Sequence, residues 1–288
     1  MKIDILPLHP AIGARIQGVD LRIPLEPAVL GKVLDTFNRR QLLYFPAQDL
    51  TEMQMLAFAR QFGEPEIFVD PTALNGGVPQ VMHLTNLDSG GNPMGPSPRM
   101  AWMSLAENWH SDSSFRRVPA LATMLNGIII PTSTGDTDFA SLHIAYDALS
   151  DELKGKLEPL SAVHSWEYQR MLTPGREPIS EEERTAAPPV THRLVQKHPA
   201  TGRKLLFLSS SACAIEGLPE AEGRELLARL TRLATRPEVV YTHKWRQHDL
   251  LMWDNRATLH RAAGFDYQSL VLRRKMHRIV IGGVAAVQ

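Results

Sequence analysis

The segment NWHSDS, residues 108–113, constrains the fold of this chain more than any other. It places His110 and Asp112 two positions apart, and side chains at positions i and i+2 of an extended strand point to the same face. Both side chains can therefore reach one metal ion of the kind held by two histidines and one carboxylate. Such a site needs a second histidine, which the fold must bring in from a distant part of the chain.

The composition excludes several classes of protein. Of the 288 residues, 43% are hydrophobic and 22% are charged, which is ordinary for a protein with a full-sized core. Lys+Arg and Asp+Glu are equal at 31 each, so no basic bias indicates nucleic-acid binding. The single cysteine, Cys213, excludes an intrachain disulfide framework, and we interpret it as a small buried residue. Because neither a signal-peptide pattern nor an 18-residue apolar run is present, we expect a cytoplasmic protein without a membrane span.

Apolar periodicity predicts many short strands and a few helices. Helices are predicted over 27–40 and 219–235, and serine or threonine N-caps at Thr51, Ser150 and Ser180 predict three more. Strands are predicted over 12–21 (as a strand or hairpin), 42–45, 80–84, 120–130, 190–196, 204–208, 239–245, 250–254 and 276–281. Strands and helices do not alternate regularly, so we expect a mainly β sandwich or barrel with helical cover. No linker divides the chain, which predicts a single domain over 1–288.

A glycine- and proline-rich segment precedes the HxD motif. Long irregular loops beside a candidate site are more often functional than simple connections, so we predict a substrate or lid loop around 67–106. Its apolar end contains Met100, Trp102, Met103 and Leu105. Those four side chains either line a pocket or anchor the loop, and the sequence leaves both possibilities open.

Three histidines compete as the second imidazole ligand. His260 has the best context, since it follows the predicted strand 250–254 and a polar turn and lies on a second short apolar run. Composition alone does not separate it from His243, which also lies on a predicted strand. His277 lies on a predicted strand too, but within a basic cluster that we expect to repel a cation.

That basic cluster, RRKMHR at 273–278, indicates anion binding. Residues 274, 276 and 278 share one strand face, so Arg274 and Arg278 are predicted to point together. Two arginines that face inward near a metal would bind carboxylates through forked hydrogen bonds. The two arginines could thus bind two anions, one a cosubstrate and the other a substrate. The alternative is that the basic side chains are exposed to solvent and bind no ligand.

Four motifs together resemble one enzyme family: WHSDSSF (109–115), GDT (135–137), WDNRATLH (253–260) and RRKMHR (273–278). They are similar to the Fe(II)/2-oxoglutarate-dependent dioxygenases of the taurine dioxygenase and 2,4-dichlorophenoxyacetate dioxygenase family. The likeness to the second type is closer and continues through AYDAL (145–149) and EGLPEAEGR (216–224), so that it covers nearly the whole chain. It implies a double-stranded β-helix, or jelly roll, with Fe(II) as the metal and 2-oxoglutarate and O2 as cosubstrates.

The resemblance also implies roles for six residues: His110, Asp112 and His260 as iron ligands, Thr137 and Arg274 in 2-oxoglutarate binding, and Arg278 against the anionic group of the substrate. The segment between His260 and the arginines is slightly longer than in taurine dioxygenase, so Arg273 could exchange roles with Arg274. His248 stands where relatives often have glycine, which we interpret as a tolerated turn change.

The predicted reaction is hydroxylation of a small carboxylate, with release of succinate and CO2. Residues 69–71 read VDP where taurine dioxygenase-like proteins place a substrate-binding histidine, and an acidic residue there would not help to bind a sulfonate. Our first hypothesis is therefore an aryloxyalkanoate substrate, whose hydroxylation leads to ether cleavage. The alternatives are a sulfonate or alkyl sulfate dioxygenase of the same family or, in a different class, a zinc-type hydrolase. The family also suggests a homo-oligomer, a dimer or tetramer.

Overall fold

The computed structural model describes residues 3–67, 74–75, 77–172 and 178–283. Its strands are β1 (Asp4–Pro7), β2 (Ala14–Gln17), β3 (Leu42–Phe45), β4 (Leu74–Asn75), β5 (Met82–Thr85), β6 (Ala122–Ile129), β7 (Asp136–Ser141), β8 (Ser161–His164), β9 (Val190–Arg193), β10 (Val195–Lys197), β11 (Lys204–Leu206), β12 (Ala212–Ile215), β13 (Val240–His243), β14 (Leu250–Asp254), β15 (Thr258–Ala263) and β16 (Lys275–Ile281). Its helices are α1 (Pro27–Arg40), α2 (Glu52–Ala59), α3 (Pro98–Met103), α4 (Leu142–Asp147), α5 (Asp151–Leu157), α6 (Trp166–Met171), α7 (Glu181–Ala186) and α8 (Glu220–Ala234), with 3-10 turns at Ser104–Glu107 and Pro237–Val239.

Two sheets enclose the centre of the molecule. The larger sheet has eight strands in the order β1-β2-β3-β14-β6-β16-β5-β4, and the smaller has the order β13-β7-β15. The central neighbours β3–β14, β14–β6 and β6–β16, and both pairs of the smaller sheet, are far apart in sequence, as a jelly roll requires, whereas β1–β2 and β4–β5 are consecutive. The expected mainly β fold with a double-stranded β-helix core and helical cover is confirmed.

Side-chain alternation along β14 shows how the layers pack. Leu250 and Met252 are fully buried against the helical side of the larger sheet, together with residues of α1 and α2. Leu251 and Trp253 point the other way and pack with Phe139 of the smaller sheet. Because successive strand residues face opposite sides, this one run of apolar residues separates a helix-covered outer face from an inner face between the sheets.

The helix predictions are largely confirmed. Helix α1 has the predicted bounds, and Thr51 forms a capping box, since its hydroxyl accepts from the N–H of Gln54 at 3.2 Å and the Gln54 amide oxygen accepts from the Thr51 N–H at 2.9 Å. Ser150 and Ser180 likewise cap α5 and α7. These ends are predictable because the cap is a local contact between residues three positions apart.

The strand predictions hold less well. The predicted strand 190–196 is broken at Leu194, and its halves pair in different sheets, β9 with β8 and β10 with β11. Within 12–21 only β2 is extended, and six other strands were not predicted: β1, β4, β7, β8, β12 and β15. Each of these seven strands has two to six residues, too few to show a period of two above the surrounding pattern.

Two smaller interpretations can also be compared with the structure. Cys213 is partly rather than fully buried; its thiol donates to the carbonyl of Val163 at 3.4 Å, and burial raises the pKa of the thiol, which disfavours a nucleophile. His248 adopts φ 65°, a conformation that favours glycine. This positive φ explains why relatives often have glycine at the position, and it agrees with the interpretation of a turn.

Across the described ranges, no helix has the length and apolarity needed to cross a membrane.

Candidate active site

The backbone brings His110 and His260 together. His110 follows the 3-10 turn and pairs with β15: its N–H donates to the carbonyl of His260 at 3.0 Å, and the His260 N–H donates back at 2.9 Å. Residues paired in this way carry side chains on the same face, so the two imidazole centroids lie 4.1 Å apart. Asp112, two residues further on, joins them as the HxD spacing predicted.

The three side chains form a compact donor cluster. The Nε2 atom of His110 lies 3.8 Å from Oδ1 of Asp112, and the Nε2 atom of His260 lies 3.6 Å from Oδ2. All three residues are buried, and their ligand atoms lie within 4.8 Å of one another. Two imidazoles and one carboxylate on one side of a metal are the donor set of non-heme Fe(II) oxygenases, so the residues present fit Fe(II).

Protonation states also suit a divalent cation. The Nδ1–H of His110 donates to the carbonyl of Asn108 at 2.7 Å, which leaves Nε2 with its lone pair facing Asp112. Burial lowers the pKa of both His110 and His260. Burial alone would raise the pKa of Asp112, but Arg278 and the two imidazoles hold it well below the usual range. The cluster thus offers neutral imidazoles and an ionised carboxylate, as metal binding requires.

A network of polar side chains fixes the Asp112 carboxylate. The Thr123 hydroxyl donates to Oδ2 of Asp112 at 2.6 Å and accepts from the Asn255 amide at 2.9 Å. The Asn255 amide oxygen in turn accepts from the Trp253 indole N–H at 3.0 Å. Sequence reasoning missed these supports. Asn255 lies inside the WDNRATLH motif, which was a usable signal, whereas Thr123 lies in an apolar strand with none.

Replacing Thr123 with valine should weaken Fe(II) binding without removing a ligand. Valine keeps the shape of the side chain but leaves one oxygen of Asp112 without its donor. Loss of such an outer partner typically costs about 10- to 100-fold in metal affinity, and we expect a change in that range by Fe(II) titration under anaerobic conditions. Thr123→Ser, which keeps the hydroxyl, is the matched control. Equal affinities for the two variants would contradict this role.

Arg274, just before β16, and Arg278 within it were predicted to point to the same side of the strand. Arg274, Met276 and Arg278 all line a cavity of about 780 Å³ that also contains the three-residue cluster. The Arg278 guanidinium donates from Nη2 to Oδ1 of Asp112 at 2.5 Å. Arg274 is deeper and only 5% exposed, whereas Arg273 is exposed. The shared face inferred from strand alternation is therefore present.

Arg274 is a buried cation with no ion pair among the described residues. Its Nε and Nη2 atoms contact the sulfur of Met276 at 3.2 and 3.1 Å, its guanidinium lies 5.3 Å from the Phe265 ring centre, and Nη1 has no hydrogen-bond partner in the described ranges. Burial lowers the pKa of Arg274. Thr137 lines the same cavity and accepts from the Trp245 indole N–H at 2.9 Å. An anion at Arg274 would supply the missing counter-charge, which fits a dicarboxylate cosubstrate.

The remaining sequence candidates fall into three groups. His243 lies away from the cluster, where its Nε2 contacts Asp249 Oδ2 at 3.1 Å. Met103 and Leu105 line the cavity, while Met100 packs with Phe265 and Tyr267 rather than facing it. The side chain of Trp102 and the segment 69–71 lie outside the described residues. The apolar end of the loop therefore does both: part of it lines the cavity, and part of it anchors the loop in a buried cluster.

Comparison with known proteins identifies the family. The family described as "Taurine catabolism dioxygenase TauD, TfdA family" matches residues 4–280. The chain belongs to this family. Its TauD/TfdA fold and the His110–Asp112–His260 cluster agree with the expected dependence on Fe(II), 2-oxoglutarate and O2.

Individual relatives resemble the chain over nearly its full length. An alpha-ketoglutarate-dependent 2,4-dichlorophenoxyacetate dioxygenase from Cupriavidus pinatubonensis is 38% identical over 276 residues, 94% of this chain and 95% of the relative. An (S)-phenoxypropionate/alpha-ketoglutarate-dioxygenase from Sphingobium herbicidovorans is 33% identical, covering 91% of this chain and 90% of the relative. The crystal structure of AAD-2 in complex with Mn(II) and N-oxalylglycine has a TM-score of 0.90 and 38% identity, covering 100% of both chains. This TauD/TfdA-family chain is a dioxygenase that acts on a small molecule, and the hydrolase alternative is not supported.

Proposed function

We propose that this dioxygenase hydroxylates an aryloxyalkanoate at the carbon that bears the ether oxygen. The reaction would consume O2 and 2-oxoglutarate and release succinate and CO2. The hydroxylated product is a hemiacetal, which collapses to a phenol and an oxo acid, so the net result is ether cleavage. The names of both relatives indicate aryloxyalkanoate substrates, which supports this substrate class.

In this proposal His110, Asp112 and His260 hold the iron. Bound iron supplies the activation of O2 that is coupled to decarboxylation of 2-oxoglutarate. The protein residues keep the site in the right charge state, since burial keeps the imidazoles neutral and Thr123 and Arg278 stabilise the carboxylate form of Asp112. Iron held by only these three residues would keep coordination positions free for the cosubstrates.

Arg274 and Thr137 are proposed to bind 2-oxoglutarate. The supporting observation is the uncompensated guanidinium of Arg274 on the cavity wall, with the Thr137 hydroxyl lining the same cavity. Arg274 would pair with the distal carboxylate and Thr137 would donate a hydrogen bond to a carboxylate oxygen. Arg273 is exposed, so its proposed exchange of roles with Arg274 has no support in the geometry.

The substrate carboxylate is assigned to Arg278, and this residue carries the substrate proposal. Its guanidinium reaches the carboxylate of Asp112 at 2.5 Å, so an anion held by Arg278 lies beside the proposed iron ligands. Apolar and aromatic side chains on the adjoining cavity wall would pack against an aromatic ring: Leu84, Met103, Leu105, Leu125, Trp253 and Tyr267. A charged end beside the metal and an apolar body against this wall is the arrangement that a phenoxy acid needs.

Arg278→Gln is expected to raise KM for an aryloxy acid by at least about tenfold, because a charge-assisted pair to a carboxylate contributes roughly 1.5–3 kcal/mol. Binding of 2-oxoglutarate should change much less. Steady-state succinate release measures the first quantity, and anaerobic titration of 2-oxoglutarate measures the second. Arg273→Gln removes an exposed arginine five positions away and serves as the control. An unchanged KM in Arg278→Gln would contradict the assignment.

A substrate screen tests the reaction itself. The purified enzyme with Fe(II), 2-oxoglutarate and O2 is offered aryloxyalkanoates, sulfonates and alkyl sulfates, and succinate is measured together with the released phenol, sulfite or sulfate. We expect stoichiometric phenol and succinate with aryloxyalkanoates. Turnover confined to sulfonates or alkyl sulfates would reject the aryloxyalkanoate class and favour the alternative within the family.

The wider organisation is also part of the proposal. We infer a single dioxygenase domain over 1–288, since β16 near the end of the chain lies in the same sheet as β1 near its start. Residues 67–106 are proposed to form the substrate-facing loop; Leu84, Met103 and Leu105 from it line the cavity, while 68–73 and 76 lie outside the described residues. A homo-oligomer, dimer or tetramer, is proposed from the family resemblance and would be tested by light scattering. A cytoplasmic location is proposed separately and would be tested by cell fractionation.

A further inference from the structure

The opposite face of β16 carries a second group of metal-ligating side chains. His277 lies between the two cavity-lining arginines in sequence, but strand alternation turns it to the outer face of the sheet. There it pairs in register with His83 on β5, and the two imidazoles stack with centroids 4.5 Å apart and planes 17° from parallel. Our expectation that the basic cluster repels a cation at His277 overlooked this separation, because Arg274 and Arg278 point to the other side.

Helix α2 adds a carboxylate to this pair. Glu52, the first residue of the helix, places Oε1 2.7 Å from Nε2 of His83 and 4.0 Å from Nε2 of His277. The three ligand atoms lie within 4.8 Å of one another, as close as those of the catalytic cluster. The side chains are 21%, 13% and 10% exposed for Glu52, His83 and His277 respectively, so this is a covered pocket rather than surface charge.

We propose that Glu52, His83 and His277 form a second metal site, distinct from the catalytic one, that binds a divalent cation of the zinc class. Two imidazoles and one carboxylate match the ligand preferences of Zn²⁺, and a water would complete four-coordination. Zinc–ligand bonds of about 2.0–2.2 Å place tetrahedral ligand atoms roughly 3.3–3.6 Å apart. The present separations of 2.7 and 4.0 Å bracket that spacing. Because the two rings are stacked 17° from parallel, one imidazole would have to rotate about its Cβ–Cγ bond to direct both Nε2 lone pairs at the same ion.

The unsatisfied state of His277 is the observation that points to a ligand. Both of its ring nitrogens are buried and have no hydrogen-bond partner among the described residues. A His83–Glu52 hydrogen bond with a stacked neighbour would account for His83 but would leave His277 unexplained. A metal bound at Nε2 of His277 would occupy a lone pair that otherwise faces no donor.

The charges around the pocket are mixed. Glu52 supplies one negative charge, and Lys275, two positions before His277 on the same strand, supplies a positive one. Burial, followed by the neighbouring His83 and Lys275, lowers the pKa of His277 to about 4. The two buried ring nitrogens of His277, unpartnered among the described residues, provide the atom that would bind a cation. Lys275 opposes the cation, so we expect weaker binding than at the catalytic cluster.

A metal here would tie helix α2 to strands β5 and β16. Arg278 of β16 and Arg274, the residue just before it, line the cavity on the other side. Fixing His277 in register with His83 would hold β16 in place beneath both arginines. The second site would therefore act as a structural support for the anion-binding wall.

Counting bound zinc separates the two sites. Chelator-treated protein is dialysed against Zn²⁺ alone and the bound metal is measured by mass spectrometry. Wild type should bind two equivalents, and His110→Ala/Asp112→Asn, which disables the catalytic cluster, should bind one. Adding His277→Gln to that variant should abolish binding, whereas adding His9→Gln should not. Circular dichroism checks that each variant is folded.

Two outcomes would overturn the proposal. One is a folded His110→Ala/Asp112→Asn variant that binds no zinc; the other is undiminished zinc binding after His277→Gln. Where His277→Gln fails to fold, Glu52→Gln at the start of α2 removes a ligand from a less buried position and should raise the Kd for zinc at least tenfold. In the catalytic-site variant, zinc should also raise Tm, and Glu52→Gln should remove that increase.

Discussion

Asp112→Ala is expected to abolish both Fe(II) retention and turnover. The carboxylate is the single anionic donor of the cluster, and it lies between two imidazoles and the guanidinium of Arg278. Loss of a mere hydrogen-bond partner of a metal ligand costs about 10- to 100-fold in affinity, so loss of the ligand itself should exceed about 1,000-fold. Arg278 would then lie beside the site without its partner and would add repulsion against the metal.

The spectroscopic test of Asp112→Ala does not need a substrate. Anaerobic addition of Fe(II) and 2-oxoglutarate to the wild type should produce a weak visible charge-transfer band, and the variant should show none. Asp138→Ala is the matched control, because Asp138 is also a buried aspartate, but it pairs with Arg261 and Thr242 outside the cavity. A band that persists in folded Asp112→Ala protein would exclude Asp112 as an iron ligand.

The parts of the site that the sequence predicted are those governed by short spacing. His110 and Asp112 lie together because they are two positions apart, and Arg274 and Arg278 lie together because they are four positions apart; even spacings place extended residues on one face. Likewise the cap at Thr51 depends only on Gln54, three positions away. Such contacts are fixed by local backbone geometry, which a single sequence reveals.

Contacts between segments that are distant in sequence could not be predicted from residue spacing. Composition did not separate His260 from His243; the family resemblance favoured His260, and the backbone pairing of His110 with His260 supplies the physical reason. Thr123 supports Asp112 from β6, across 11 positions and a turn, with no motif to mark it. Charge along this segment shows a different limit, since a linear count merges Arg274 and Arg278 with His277 although the arginines line the cavity and His277 pairs with His83 on the other side of the sheet.

Arg274→Met should produce two opposite effects, weaker cosubstrate binding and a more stable protein. The guanidinium is 5% exposed and, among the residues described, has no carboxylate beside it. Burying a charge without an ion-pair partner costs free energy, and even buried ion pairs often become about 1–4 kcal/mol more favourable when well-packed apolar side chains replace them. Methionine would pack against Met276 and Phe265, so we expect a stability gain of that order. Without the guanidinium, however, a buried carboxylate of 2-oxoglutarate would lose a charge-assisted pair, so its Kd should rise about 100-fold or more, which corresponds to roughly 2.7 kcal/mol.

These opposite signs distinguish a binding residue from a structural one. Denaturant unfolding of the metal-free protein gives the stability change, and anaerobic titration of the Fe(II) protein with 2-oxoglutarate gives the affinity. Gly135→Ala provides an intermediate case, since φ at Gly135 is +87° and an added Cβ would lie 3.0 Å from Nη1 of Arg274. We expect that variant to weaken 2-oxoglutarate binding through displacement of the guanidinium, and to destabilise the fold. If Arg274→Met instead lowers stability and leaves the affinity for 2-oxoglutarate unchanged, the arginine serves the packing of the cavity wall rather than the cosubstrate.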